Sequence, residues 1–209
     1  TTNDFNVAPK SSYFGIIDTT GFPKDSYYLY QSLWNDKVTT LHVLPTWDEK
    51  DVKKDDSNKV EVVVYSDAPV VKLYLNDKEI GVAKAKTNKS NIDGNGIYTY
   101  QTYEKGEMTK GATQENTFQA KDGQHQSLYA TFLVPYERGK LTAKAFQEDG
   151  TTPIANTEGR HTVETTQGAA KLDVSADRTE ITADGKDLSY ITIDVEDSTG
   201  KFVNGAEPE

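Results

Sequence analysis

The 209-residue chain contains no cysteine, which excludes disulfide bonds and thiolate metal sites. It has only three histidines, His42, His125 and His161, and their distant positions match no metal-ligand spacing. No apolar run is long enough to span a bilayer, and no charged-then-apolar signal opens the chain. The sequence therefore predicts no metal site, no cofactor and no membrane insertion.

Basic residues are also few, with 23 Lys and Arg against 33 Asp and Glu and a formal net charge of −10. A face that neutralises phosphates has to be cationic, so this balance argues against nucleic acid or anionic lipid as a partner. The chain nevertheless has 12 Tyr, 7 Phe and 2 Trp, which are bulky groups that disordered chains lack. We expect a folded chain with small hydrophobic cores.

The N-terminal part is predicted to form a strand, a loop and a helix, in that order. Residues 12–18, SYFGIID, are nearly continuously apolar, as is typical of a strand in a parallel sheet covered on both sides. Pro23 and Asp25 suit the first turn of a helix. Because one strand and one helix cannot bury their own faces, this unit needs a partner. Helical spacing places four bulky residues on one face, where we expect core packing: Tyr27, Tyr30, Leu33 and Trp34.

The next two segments differ sharply in apolar content. Residues 38–47, VTTLHVLPTW, alternate like a strand, and Pro45 is expected to end its pairing or place it at an edge. Residues 48–59, DEKDVKKDDSNK, contain almost no apolar side chains and are predicted to be a linker.

From Val60 onward the apolar period becomes two. Strands are predicted over 60–66, 70–76, 97–103, 127–136 and 140–147, separated by turn signals such as SDAP, NDKE and ERGK. Short strands with no helix between them are typical of a β-sandwich. The polar section 84–126 is expected to hold long surface loops. A third section, from about residue 167, again reads as antiparallel strands, and both ends of the chain look cut.

Several of these motifs resemble one family. SSYFGIIDTTGFPKDSYYLYQSLW, with LHVLPTW, is similar to the last strand and last helix of the (β/α)8 catalytic barrel of glycoside hydrolase family 2, which includes β-galactosidases and β-glucuronidases. VEVVVYSDAPVVKLYLNDKEIG and FLVPYERGKLTAKAFQEDG resemble the immunoglobulin-like domain that follows the barrel. AAKLDVSADRTEITADGKDLSYITIDVEDSTGKFV is similar to the next sandwich in large streptococcal-type surface β-galactosidases.

The resemblance implies a mainly β chain in three parts. Residues 1–48 would be the C-terminal end of the barrel, 49–166 an immunoglobulin-like β-sandwich, and 167–209 the start of a further, truncated sandwich. It also implies a parent enzyme, exported to the bacterial cell surface or beyond, that hydrolyses terminal β-galactosides. The partners expected are therefore that carbohydrate and the rest of the barrel.

The resemblance places the catalytic groups outside this chain. Retaining glycosidases use two carboxyls roughly 5 Å apart, and in this family the two Glu residues end barrel strands four and seven. No Glu precedes Glu49, so no catalytic residue is assigned and the chain is not expected to be active alone. A new carboxylate pair is not favoured among the acidic residues of loops and the helix start: Asp18, Asp25, Asp48, Glu49 and Asp51.

Three residues are candidates for the rim of the sugar pocket. Loops that follow barrel strands surround the active site, which places Asp18 and Phe22 near the substrate together with Thr19 and Thr20. The alternative is structural: Asp18 caps its loop and Phe22 packs beneath the helix. Trp47 either stacks on a sugar ring or wedges the barrel against the next domain, and we favour the wedge.

Two other functions stay open. The chain could be a carbohydrate-binding module that uses exposed Tyr and Trp as stacking platforms, or an adhesin or spacer built of immunoglobulin-like domains. The strand and helix at the N-terminus favour the glycosidase segment, because neither alternative needs the closing unit of a barrel.

Overall fold

A computed structural model describes residues 14–91, 97–104, 107–108 and 127–206. These contain one helix, α1 (Asp25–Trp34), and twelve strands. The first six strands are β1 (Thr39–Leu44), β2 (Lys59–Ser66), β3 (Val70–Leu75), β4 (Lys78–Asn91), β5 (Ile97–Tyr103) and β6 (Glu107–Met108). The other six are β7 (Ala130–Pro135), β8 (Lys140–Phe146), β9 (Thr157–Glu158), β10 (Thr162–Glu164), β11 (Ala169–Ala176) and β12 (Ile191–Asp197).

Two sheets enclose the main core, which confirms a mainly β fold. One sheet has the strand order β7-β2-β1-β9, and the other has β10-β8-β3-β4-β5, with β6 paired to β4. Along β2 every second residue is buried, because one face of the strand points inward and the other toward solvent. The largest fully buried side chains of this core include Trp47, Tyr103, Phe132, Leu73 and Leu141.

Within 84–126 the prediction of long surface loops is wrong where the structure describes the chain. β4 continues to Asn91 and pairs antiparallel with β5 over seven residue pairs from Ala85↔Tyr103 to Asn91↔Ile97. The sequence of β4 is polar and rich in Lys, so too few apolar side chains alternate with polar ones to indicate a strand. The sequence DGNG at 93–96, which suggests a turn, and His125 lie outside the described residues.

The segment 38–47 belongs to the sandwich and not to the end of a barrel. β1 pairs antiparallel with β2 and parallel with β9, so it lies inside the four-stranded sheet. It ends at Leu44, directly before Pro45, as predicted. By contrast, the strand predicted over 12–18 is absent from its described part: Ile17 forms only an isolated bridge with Pro23. A barrel strand needs a neighbour on each side, and the described residues supply none.

The predicted linker 48–59 is packed against the sandwich. Val52 and Asp48 are buried, and Lys54 forms an isolated bridge with Val60. Its scarcity of apolar residues therefore did not indicate a free linker, because one apolar residue, Val52, packs in the core and Asp48 is fixed by hydrogen bonds to Thr166.

The C-terminal section forms a separate hairpin of β11 and β12, as the alternating pattern predicted. Its pairs bring apolar side chains to one face: Leu172↔Val195, Val174↔Ile193 and Ala176↔Ile191. Four of these side chains, Leu172, Val174, Ile191 and Ile193, remain between 59% and 64% exposed. A two-stranded hairpin is at best marginally stable alone. An apolar face of this kind is what one sheet of a β-sandwich presents to the other sheet.

Candidate functional site

The loop before α1 carries two of the predicted rim residues. One carboxylate oxygen of Asp18, Oδ1, accepts hydrogen bonds from the Thr20 hydroxyl at 2.7 Å, the Thr20 amide at 2.8 Å and the Phe22 amide at 2.9 Å. The Thr20 hydroxyl and then the Phe22 amide lower the pKa of Asp18. Asp18 thus caps its own loop, as the structural alternative predicted. The Phe22 ring is exposed and does not lie beneath the helix.

Trp47, the third rim candidate, is fully buried in the sandwich core. Its indole Nε1 donates a hydrogen bond to the Glu137 carbonyl at 2.8 Å, and its ring lies 5.1 Å from that of Tyr136. A buried ring offers no face to a sugar, so Trp47 is not a stacking platform. It is also not a wedge between two domains, because it packs within one.

The inner face of α1 is polar and packs on the sandwich. Gln31 and Ser32 are the buried residues of this helix. The Gln31 amide donates to Glu158 on β9 at 2.8 Å and accepts from the Thr40 hydroxyl on β1 at 3.0 Å. The helix is therefore oriented by hydrogen bonds, each of which satisfies a polar group that would otherwise be buried without a partner.

The aromatic face of α1 points the other way. Trp34 is 75% exposed and Tyr30 39% exposed, with their ring centroids 4.7 Å apart. The expectation that Trp34 packs in a core is wrong for the described residues, because the helix turns its polar side to the sandwich. Together with Ile16 and Tyr27, these rings line an open groove of about 430 Å³, which Lys37 also lines. We call this surface the aromatic groove.

A second contact joins α1 to the sandwich through His42 on β1. The Nε2 atom of His42 lies 2.7 Å from the Asp25 carboxylate, and its Nδ1 accepts the Arg160 amide at 3.0 Å. Because Nδ1 is an acceptor, the proton of the neutral ring is on Nε2, which donates to Asp25. The Tyr28 ring stacks on the imidazole with centroids 4.0 Å apart. The Arg160 side chain donates to the Val43 carbonyl and to Asp25.

This contact perturbs the ionisation of Asp25. The hydrogen bond from His42, followed by the charge of Arg160, lowers the pKa of Asp25 despite its partial burial. His42 is a buried residue of β1. Its partners could not have been found from the sequence, since Arg160 is 118 positions from His42.

The acidic residues named in the sequence each have a separate structural partner. Glu49 pairs with Lys54 at 2.7 Å, Asp51 accepts from the Thr46 hydroxyl, and Asp48 accepts from Thr166. Among the described residues no group of three or more His, Asp or Glu side chains could hold a metal ion, and no helix could cross a membrane.

Asp48 also fixes the connection to the C-terminal hairpin. Its buried carboxylate accepts hydrogen bonds from the Thr166 amide at 2.6 Å and from the Thr166 hydroxyl at 2.9 Å. The amide of the next residue, Gln167, donates a hydrogen bond to the Asp197 carboxylate. The start of the hairpin is therefore held between two carboxylates.

Replacing Asp48 by Ala is expected to lower the free energy of unfolding by about 1–3 kcal/mol, because the buried Thr166 amide loses its acceptor. Glu49→Ala is the matched control, since its exposed ion pair with Lys54 contributes less than about 1 kcal/mol. Urea unfolding of both variants measures the difference. Equal losses in the two variants would contradict the assigned role of Asp48.

This chain is similar to parts of known glycosidases. Residues 57–153 match a domain of unknown function, DUF4982. Beta-galactosidase BoGH2A of Bacteroides ovatus is 30% identical over 198 residues, which are 95% of this chain and 18% of that protein. A beta-glucuronidase of Formosa agariphila is 25% identical over 190 residues, 90% of this chain and 14% of its own length.

The fold is shared with a solved structure. A glycosyl hydrolase family 2 member from Bacteroides cellulosilyticus aligns with a TM-score of 0.58 and 26% identity over 91% of this chain and 22% of its own. The chain thus spans about a fifth of the length of these relatives. Fold and comparisons together support one class, a segment of a glycosidase of glycoside hydrolase family 2.

Proposed function

We propose that this chain closes the catalytic barrel of a family 2 glycosidase and carries its accessory β-sandwiches. The observation that carries the proposal is that α1 is buried on one side only. Its polar side is fixed to the sandwich by Gln31, while the rings of Tyr30 and Trp34 face solvent. Large exposed apolar patches mark interaction surfaces, and the last helix of a barrel needs the neighbouring strands and helices on that side.

The loop Asp18–Phe22 is then the part of this chain nearest the sugar. Loops that follow barrel strands line the active site. Asp18 sets the shape of this loop through its three hydrogen bonds, and Phe22 is the exposed side chain that a substrate could contact. Asp18 is therefore a positioning residue in this proposal.

In the same proposal, the β11–β12 hairpin is the first part of a further β-sandwich. One of its faces is apolar and exposed, which is what a sheet has before a second sheet covers it. The much greater length of the relatives leaves room for that sheet and for the rest of the barrel.

For the reaction, we propose retaining hydrolysis of a terminal β-galactoside by an exported bacterial enzyme. We propose a β-galactoside as the substrate because this chain is similar to a beta-galactosidase over 95% of its length. A β-glucuronide is the competing substrate, because the second relative is a beta-glucuronidase. Export is compatible with a chain that folds without cysteine. Two Glu residues of the remaining barrel would act as acid/base and nucleophile.

A carbohydrate-binding module is the second candidate, and the aromatic groove favours it. Tyr30 and Trp34 present adjacent rings beside the polar residues Asp36 and Lys37, which suits a sugar that stacks and hydrogen-bonds. In the glycosidase proposal the same groove is filled by protein.

The isolated 209-residue chain is expected not to hydrolyse a chromogenic β-galactoside or β-glucuronide, and to pass unretained through a galactoside column. Turnover by the purified chain would refute the proposal that the catalytic carboxyls lie elsewhere. Retention that is lost in Trp34→Ala would support the binding module instead. Tyr190→Ala serves as the control, since it removes an exposed ring outside the groove.

A further inference from the structure

The loop Gly159–His161 approaches β1 closely at the point where α1 is attached. Gly159 has a φ of 120°, and a Cβ at this position would lie 2.6 Å from the Leu41 carbonyl oxygen. Only glycine fits such a conformation and such a distance. The close approach brings the amide of Arg160 to His42 and its guanidinium to Asp25.

Hydrogen bonding constrains the two histidines of this region differently. His42 uses Nδ1 to accept the Arg160 amide. The Nε2 atom of His161 is buried and has no hydrogen-bond partner among the described residues. A proton added at this nitrogen would be a buried donor without an acceptor, which is costly. Burial, and then the nearby His42, lower the pKa of His161.

We propose that Asp25, His42, Arg160 and His161 form an acid-sensitive latch that holds α1 on the sandwich while His161 is neutral. His161 can take up a proton when the loop Gly159–His161 opens to solvent. Opening removes the Arg160 amide from His42 and the Arg160 guanidinium from Asp25, so α1 loses this attachment. The latch is a property of the chain itself and does not depend on the proposed glycosidase function.

The sign of the pH dependence follows from linkage. His161 has a lower pKa when folded than its ordinary 6.5, so the open state binds more protons below that pH. Its contribution to stability is complete above that range and is lost as the pH falls through it. The pKa of Asp25 is lowered from 3.8, so Asp25 stays ionised in this range and contributes a loss only at much lower pH.

The other ionisable groups around the latch do not imitate this behaviour. Burial raises the pKa of Tyr28 on α1 and of Tyr65 on β2, so both stay neutral. Glu158 on β9 accepts from Gln31, and burial raises the pKa of Asp67, which accepts the Thr40 amide. These groups are the same in a His161 variant, so a comparison with the parent chain isolates the histidine.

Hydrogen exchange of the whole chain tests the latch. Protection factors, corrected for intrinsic exchange, would be measured for α1 and for β2 at about pH 7.5 and pH 5.5, on either side of the ordinary histidine pKa. The ratio of α1 to β2 protection is expected to fall by up to about tenfold at the lower pH, because pH 5.5 lies one unit below the ordinary pKa of 6.5 at which His161 titrates in the open state. In His161→Gln it is expected to fall less than about threefold, because the titrating group is gone.

His125→Gln is the matched control, since it also removes one histidine and should keep the tenfold fall. Unchanged β2 protection shows that each variant is folded, and His161→Phe replaces His161→Gln if that variant is not. An α1/β2 ratio that does not change with pH would overturn the proposal. So would a His161 variant that loses α1 protection as much as the parent chain does.

Discussion

Trp47→Ala is expected to lower the free energy of unfolding of this chain by about 3–5 kcal/mol, the range for truncating a large core aromatic. The side chain is fully buried between the two sheets and contacts the Tyr136 ring. Its removal leaves a cavity that rigid strands on both sides cannot close, and it deprives the Glu137 carbonyl of the indole donor. Chemical denaturation followed by far-UV circular dichroism measures the loss.

The chain offers its own control, because its only other tryptophan lies on the surface. Trp34→Ala removes the same side chain from a 75% exposed position and is expected to change stability by no more than about 0.5 kcal/mol. A loss in Trp34→Ala as large as that in Trp47→Ala would mean that the aromatic groove is closed within this chain, contrary to the structure.

Trp34→Asp is expected to behave differently in the complete glycosidase that we propose as the parent. If the barrel packs on the aromatic groove, the new carboxylate is buried without a partner at a cost of several kcal/mol. Specific activity should then fall at least about a hundredfold, since each 1.4 kcal/mol is a factor of ten. The measurement is hydrolysis of a chromogenic β-galactoside together with the yield of folded enzyme.

The isolated chain provides the comparison for that substitution. There Trp34→Asp only exchanges one exposed side chain for another, so the unfolding curve should not move. An active complete enzyme with Trp34→Asp would show that the barrel leaves the groove open, and this would favour the sugar-binding alternative.

The sandwich strands were predictable because their burial alternates. β2, β3, β5, β7 and β8 all lie within or next to the predicted segments, since these segments are rich in Val, Tyr, Thr and Phe. The helix was also predicted, from Pro23, Asp25 and the spacing of the rings that follow. In both cases the residues of one local segment are enough to predict its secondary structure.

Other features depend on distant parts of the chain and could not be predicted locally. The Tyr-rich face of α1 looks like the core face, but Gln31 and Ser32 are buried because β9 and β1 supply hydrogen-bond partners. Trp47 follows a strand and precedes a polar segment, which suggested a domain edge. Only the sheet pairing of β1 with β2 shows that it points into the core.

The most direct test of the central claim uses the absence of cysteine from this chain. Trp34→Cys introduces one thiol into the aromatic groove, and Glu148→Cys introduces one at an exposed turn after β8. Maleimide labelling of the isolated chain should be fast at both positions. In a cysteine-free form of the complete enzyme, labelling at position 34 should slow at least about tenfold and labelling at 148 should not. Equal rates at position 34 in the two proteins would contradict the account that this helix is covered by the rest of a catalytic barrel.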